Sequence, residues 1–127
     1  MKNRAETAAR NPQGRFEEVV AGFSRDRKLA PVAAALLEER ARGRGRGSFG
    51  SDALKVNGKM FAVLVKGRLV VKLASDRVAE LVRSGHAEYF DPGHGRLMKQ
   101  WAAILCDDHP WIDLAKEAHV FVRANRT

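Results

Sequence analysis

The sequence predicts an α+β fold: an antiparallel sheet, made of a three-stranded meander plus about two further strands, with helices before, between and after. Three observations carry this. Asn57-Gly58 and Lys66-Gly67 each stand between apolar runs at the spacing of a two-residue hairpin, whose tight turn needs positive φ at both central positions. Phe16, Val19, Val20 and Phe23 fall at i, i+3, i+4 and i+7, the stripe of an amphipathic helix. Trp111, Leu114, Ala115, Ala118 and Val122 lay a second such stripe near the end of the chain.

Residues 1–14 read as a polar lead-in, closing on the turn-rich Asn11-Pro-Gln-Gly14, and residues 15–127 as a single domain. The first helix follows, and Asp26 to Lys28 interrupts it. Pro31 then suits the first turn of a second helix, where its missing N–H has no intrahelical partner. Val32, Ala35, Leu36 and Leu37 are that helix's apolar residues. It fades into the Arg/Gly run at 42–47, where three glycines make regular helix costly.

The hairpins predict strands over 53–56, 59–65 and 68–73. A two-residue loop at Asn57 sets Leu54 opposite Phe61 and Val56 opposite Lys59; the loop at Lys66 sets Val63 opposite Val70. Strict alternation then gives one face Met60, Ala62, Leu64, Leu69, Val71 and Leu73, with Lys55 at its edge. The other face receives Leu54, Val56, Phe61, Val63, Val65 and Val70, with Lys59, Arg68 and Lys72. Both faces are substantially apolar, so both need cover, from the chain's own helices or from another subunit. Ser75 is placed to cap a short helix ending at Ser84, with Val78, Leu81 and Val82 on its apolar side and Gly85 as its stop. Tyr89-Phe90 reads as a brief strand, Asp91 to Gly95 as a tight loop, and Leu97 to Cys106 as a further strand. Pro110 opens the last helix.

Composition bounds the function. The 127 residues and 45% apolar content suit one folded domain with its own core. No apolar run approaches the ~20 residues that cross a bilayer. Cys106 is the sole cysteine, so no internal disulfide forms, and a reducing cytoplasm is the expected compartment. The net charge of +8 favours polyanions. Its excess is uneven: residues 1–48 hold 11 Lys/Arg against 6 Asp/Glu, while residues 101–127 hold 3 against 4.

The residues that could carry chemistry are few. Cys106-Asp-Asp-His109 offers metal-ligand types, but structural zinc sites are built from paired clusters and no Cys-x-x-Cys is present. No local signature marks Cys106 as a nucleophile with His86, His94, His109 or His119 as its base. Neither catalytic residues nor a cofactor nor a metal is expected. The loop containing Asp91, Gly93, His94, Gly95 and Arg96 reads as a structural turn or as an anion-binding loop of exposed N–H groups. Arg40, Arg42, Arg44 and Arg46, with Lys59, Arg68 and Lys72, form the candidate polyanion surface. Nothing supports sequence-specific reading of bases.

The run Gly47-Ser-Phe-Gly-Ser, the hairpin Leu54-Lys-Val-Asn-Gly-Lys-Met-Phe-Ala, the strand Gly67-Arg-Leu-Val-Val-Lys-Leu, the helix segment Arg77-Val-Ala-Glu-Leu-Val and Phe90-Asp-Pro-Gly-His-Gly-Arg-Leu-Met-Lys-Gln-Trp101 resemble, as an ordered set, the domain shared by TfoX N-terminal and YjbR (MmcQ)-like proteins. The resemblance spans roughly residues 15–124. It implies an α+β, secretion-chaperone-like arrangement, in which many members dimerise. Ala74 and Leu97 stand where that family commonly has proline, and His94 where it often has a basic residue. YjbR-like members are often described as DNA-binding, and TfoX proteins as competence regulators. TfoX proteins usually carry a second domain that this sequence lacks, so a competence role is not carried over. The expectation is a non-enzymatic binding module, a homodimer without membrane association, that contacts nucleic acid weakly through its basic surface. The alternative is a protein-interaction adaptor or dimeric chaperone-like domain.

Overall fold

A computed structural model describes residues 12–42, 53–91, 95, 98–105 and 110–124. Arg44, Arg46, Gly93, His94 and Arg96 lie outside the described residues, as do the Gly47 to Ser51 motif and the Cys106 to His109 cluster. The fold is α+β, in the order α1 (Pro12–Arg25), α2 (Ala30–Ala41), β1 (Ala53–Val56), β2 (Lys59–Val65), β3 (Arg68–Lys72), α3 (Ser75–Arg83), β4 (Ala87–Phe90), β5 (Met98–Ile104) and α4 (Trp111–Ala124). The five strands form one sheet in the order β1-β2-β3-β5-β4, and every neighbouring pair is antiparallel. β5 therefore inserts between β3 and β4, leaving β1 and β4 at the edges.

Local chemistry accounts for the turns. Asn57 and Gly58 have φ of 55° and 79°, and Lys66 and Gly67 have φ of 50° and 83°. Both hairpins thus carry paired left-handed residues, whose twist matches that of the flanking strands. Asn and Gly enter that region readily, whereas lysine does so at a cost. Gly85, at φ 85°, ends α3. Its N–H reaches the Val82 carbonyl and the next N–H, from His86, reaches Leu81, satisfying carbonyls that the helix end leaves open.

Two helix starts differ from expectation. The Pro12 to Gly14 segment belongs to α1 and is not a turn, because proline is tolerated in a helix's first turn. Ser75 lies inside α3, with Ala74 at the cap position and no side-chain cap bond. In α2 the buried residues are Val32, Ala33 and Leu36, while Leu37 is 46% exposed.

The four helices of the described residues pack on one face of the sheet. Their buried residues share a single core with Leu54, Phe61, Ala62, Leu69, Val71, Leu73, Ala87, Ala102 and Ile104. Phe16, Phe23 and Phe61 are its largest fully buried side chains. α1 and α4 approach closely because Gly22 has no side chain; a methyl group there would land on Ile112 Cδ1. Ion pairs fasten the helical layer from outside. Arg77 of α3 reaches Glu117 of α4 at 2.8 Å and Glu80 at 3.1 Å, and these bonds raise its already high pKa despite some burial.

The register corrects one expectation. Leu54 pairs with Ala62, and Lys55 with Met60, so Phe61 is the extra residue of a β-bulge. A bulge breaks alternation and sends two successive side chains to the same face. Phe61 and Ala62 both enter the helix-covered core. Cross-strand partners share a face, so Lys59, opposite Val56, lies on the helix side. Met60 lies on the other side, together with Val63 and Val65. The expected grouping of Phe61 with Val63, and of Lys59 with Arg68 and Lys72, fails for this reason alone.

The second face holds a smaller cluster. Ala53, Val63, Val70 and Ala103 are buried, and Met60, Val65, Phe90 and Trp101 pack half-buried against them. Every member is a strand residue; among the described residues, no buried helix side chain belongs to it.

Candidate nucleic-acid interface

Among the described residues, the cations of the expected basic surface divide between the two sides of the sheet. Arg40 and Arg42 close α2. The Arg40 guanidinium donates to both carboxylate oxygens of Glu17 on α1, at 3.0 and 2.9 Å. Burial raises the Glu17 pKa, but the bonds from Arg40 and Gln13 and the Arg40 charge outweigh it and hold the carboxyl below its usual value. Arg42 stands 4.0 Å from Glu38 of the same helix. Arg40 thus ties α2 to α1, while the Arg42 pair stays within α2. Lys59 is exposed at the start of β2, on the helix side.

Arg68 and Lys72 occupy the opposite face. Arg68 pairs in register with Val65, and Lys72 with Trp101, both of which belong to the helix-free cluster. Lys55, whose partner is Met60, joins them there. Glu88, opposite Ala103, is the carboxylate that the register puts on this face among the described strand residues. Arg68 reaches it at 3.3 Å, and Lys55 reaches round to Glu39 of α2 at 3.6 Å. Both pairs are substantially exposed. Exposed pairs of this kind are worth about 0–1 kcal/mol, so a phosphate competes for either cation at little cost. The Lys72 ammonium stands 5.9 Å from the Trp101 ring centroid, the outer limit of a cation–π contact.

Sequence reasoning missed Trp101 and Lys55 as members of this surface. Trp101 could not be found locally, since its neighbour Lys72 lies across a strand pairing joined through α3 and β4. Lys55 was displaced in the reading by the unforeseen bulge. Of the tight loop, Asp91 is exposed after β4 and Gly95 adopts φ 76°, the positive value that a turn glycine supplies.

Among the described residues, no group of three or more His, Cys, Asp or Glu side chains could hold a metal ion. The Ser84 hydroxyl donates to the Glu80 carbonyl and stands 3.0 Å from His86 Nδ1, closing the end of α3. Among the described residues, no helix is long and apolar enough to cross a membrane. No family model matches the chain, and neither a curated protein nor a solved structure does.

Proposed function

We propose that this protein is a non-enzymatic binding module of the TfoX N-terminal/YjbR-like kind, contacting nucleic acid weakly and without base specificity. The carrying observation is the grouping of Lys55, Arg68 and Lys72 around half-buried aromatic side chains on the helix-free sheet face. The net charge of +8 adds a long-range attraction for polyanions. The ordered motifs quoted above, and the α+β arrangement they imply, support the family reading.

Three cations set the size of the effect. If each neutralises one phosphate, log K falls against log salt with a slope of about −2.7 on duplex and about −2.1 on a single strand. Fluorescence anisotropy of a labelled oligonucleotide, titrated at ~50 mM and at higher salt, reads this slope. A complex weakening about 20- to 40-fold between 50 and 200 mM salt is expected. No binding to any nucleic acid at ~50 mM, where counterion release favours it most, ends the proposal.

A further inference from the structure

We infer that the helix-free sheet face takes single-stranded nucleic acid, with an unpaired base stacked on Trp101 and phosphates held by Lys72, Arg68 and Lys55. The inference rests on the binding function proposed above and specifies its ligand and its place.

The face has the two components that single-strand binding needs, an aromatic platform and cations beside it. Trp101 and Phe90 are the half-buried aromatic residues, set against the small buried floor of Val63, Val70, Ala53 and Ala103. Lys72 lies directly across from Trp101 in the β3–β5 register. Their contact is long, at 5.9 Å, so an arriving base displaces the ammonium at small cost and leaves it beside that nucleotide's phosphate. Arg68 is on the same strand as Lys72 and Lys55 is toward the β1 edge, so the cations are spread across the sheet. A backbone that crosses the strands from Lys55 to Lys72 and then turns along β3 toward Arg68 meets all three.

Duplex fits this face less well. Its bases are stacked on each other and offer no free ring to Trp101, and reading a groove needs a helix or ribbon that enters it. A second copy of the chain also fits less well. It would gather two sets of Lys55, Arg68 and Lys72 on one interface, in a protein already at +8. Of the other described cations of the expected patch, Arg40 is directed to Glu17 and Lys59 to the helix side.

The test uses fluorescein-labelled oligothymidine of about 15 nucleotides and a mixed-sequence duplex of similar length, at ~50 mM salt. The single strand is expected to bind at least about tenfold tighter than the duplex. Trp101→Ala should weaken single-strand binding about tenfold or more, the scale of one base–aromatic stack, and Trp101→Phe should restore most of it. Lys72→Ala, a change at a half-exposed position, should lower both the affinity and the salt slope. In a Trp111→Phe background, Trp101 is the one remaining tryptophan, and oligothymidine should quench its emission. Arg40→Ala should leave the affinity unchanged. Circular dichroism verifies that each variant is folded, and should Trp101→Ala unfold, quenching and Lys72→Ala decide. Equal affinity for duplex, with no effect of Trp101→Ala or Lys72→Ala and no quenching, overturns the inference and leaves the proposed function standing. Binding of neither nucleic acid overturns both. A protein that dimerises by light scattering and binds oligothymidine only as it dissociates also overturns the inference, since a second copy would then own the face.

Discussion

The rings of Phe61 and His119 meet edge to face in the core, with centroids 5.2 Å apart and an interplanar angle of 75°. Phe23 completes the group, 6.4 Å from His119 and 6.0 Å from Phe61. His119 is 7% exposed and, among the described residues, is the buried polar side chain of a core otherwise lined by apolar ones. Burial pushes its pKa down from the ordinary 6.5, the Arg123 cation pushes the same way, and Asp26 opposes both. Asp26 is itself 3.9 Å from Lys116 on α4, which limits its help.

A pH dependence of stability results. The imidazole is neutral in the folded protein at a pH where the unfolded chain already binds a proton. Stability is therefore full above the unfolded pKa of 6.5, falls as the pH drops through that value, and levels off below the folded pKa. Urea midpoints measured from about pH 7.5 to 5 should decline across this window. His119→Leu should remove that decline. A wild-type midpoint flat over the window would show that His119 titrates normally in the fold. The Glu17 carboxyl acts in a lower window: its stabilisation is present above its unfolded value of 4.5 and is lost as the pH falls through the depressed folded pKa.

Arg40 is expected to contribute to stability and not to binding. Its bidentate contact with Glu17 ties α2 to α1 across 23 residues. The Glu17 side chain is 42% exposed, so solvent screens the pair and Arg40→Ala should cost only about 0.5–1 kcal/mol. A double-mutant cycle with Glu17→Gln isolates the coupling. Coupling near zero, together with loss of oligonucleotide affinity in Arg40→Ala, would return Arg40 to the binding surface.

Lys66 holds φ of 50° in the second hairpin. Its counterpart in the first hairpin is Asn57, a residue type that tolerates this region. Lys66→Asn should stabilise the protein by about 0.5–1 kcal/mol, since a β-carbon in left-handed conformation costs ~1–2 kcal/mol unless local hydrogen bonds offset it. Thermal denaturation reads the gain. An unchanged or lower Tm would mean that the lysine side chain makes a compensating contact at the turn.

Most of the fold was legible because its signals are local. Asn57-Gly58, Lys66-Gly67 and Gly85 act through their own dihedrals, and the stripes of α1 and α4 follow from the helical period. His119 could have been placed in the core too, four residues after Ala115 and eight after Trp111 on the same stripe. The proposed binding surface was harder. Charge identifies Arg40 and Lys72 equally, but their partners, Glu17 and Trp101, are brought to them by tertiary structure. The sheet faces were half legible: alternation holds from Ala62 through Lys72 and breaks one residue earlier, where a bulge carries no distinctive composition.

The bulge itself can be tested by deletion. Phe61 is the extra residue between the Leu54–Ala62 and Lys55–Met60 pairs, so removing it leaves a regular ladder with every other residue on its present face. The loss is then confined to the Phe61 side chain, which is fully buried. Phe61→Ala should cost about 3–5 kcal/mol, the usual range for emptying a core phenylalanine site. Deleting Phe61 should cost about the same, because the closed-up strand recovers a regular ladder where Phe61→Ala keeps the bulge. In a strand without a bulge, deletion would move Met60 and Lys59 to opposite faces, putting methionine on the helix-free face and lysine into the helix-covered core. Urea denaturation of the two variants separates these cases. A deletion variant that fails to fold while Phe61→Ala folds would show that alternation runs unbroken through Phe61, and the face assignments of Lys55, Lys59 and Met60 would then reverse.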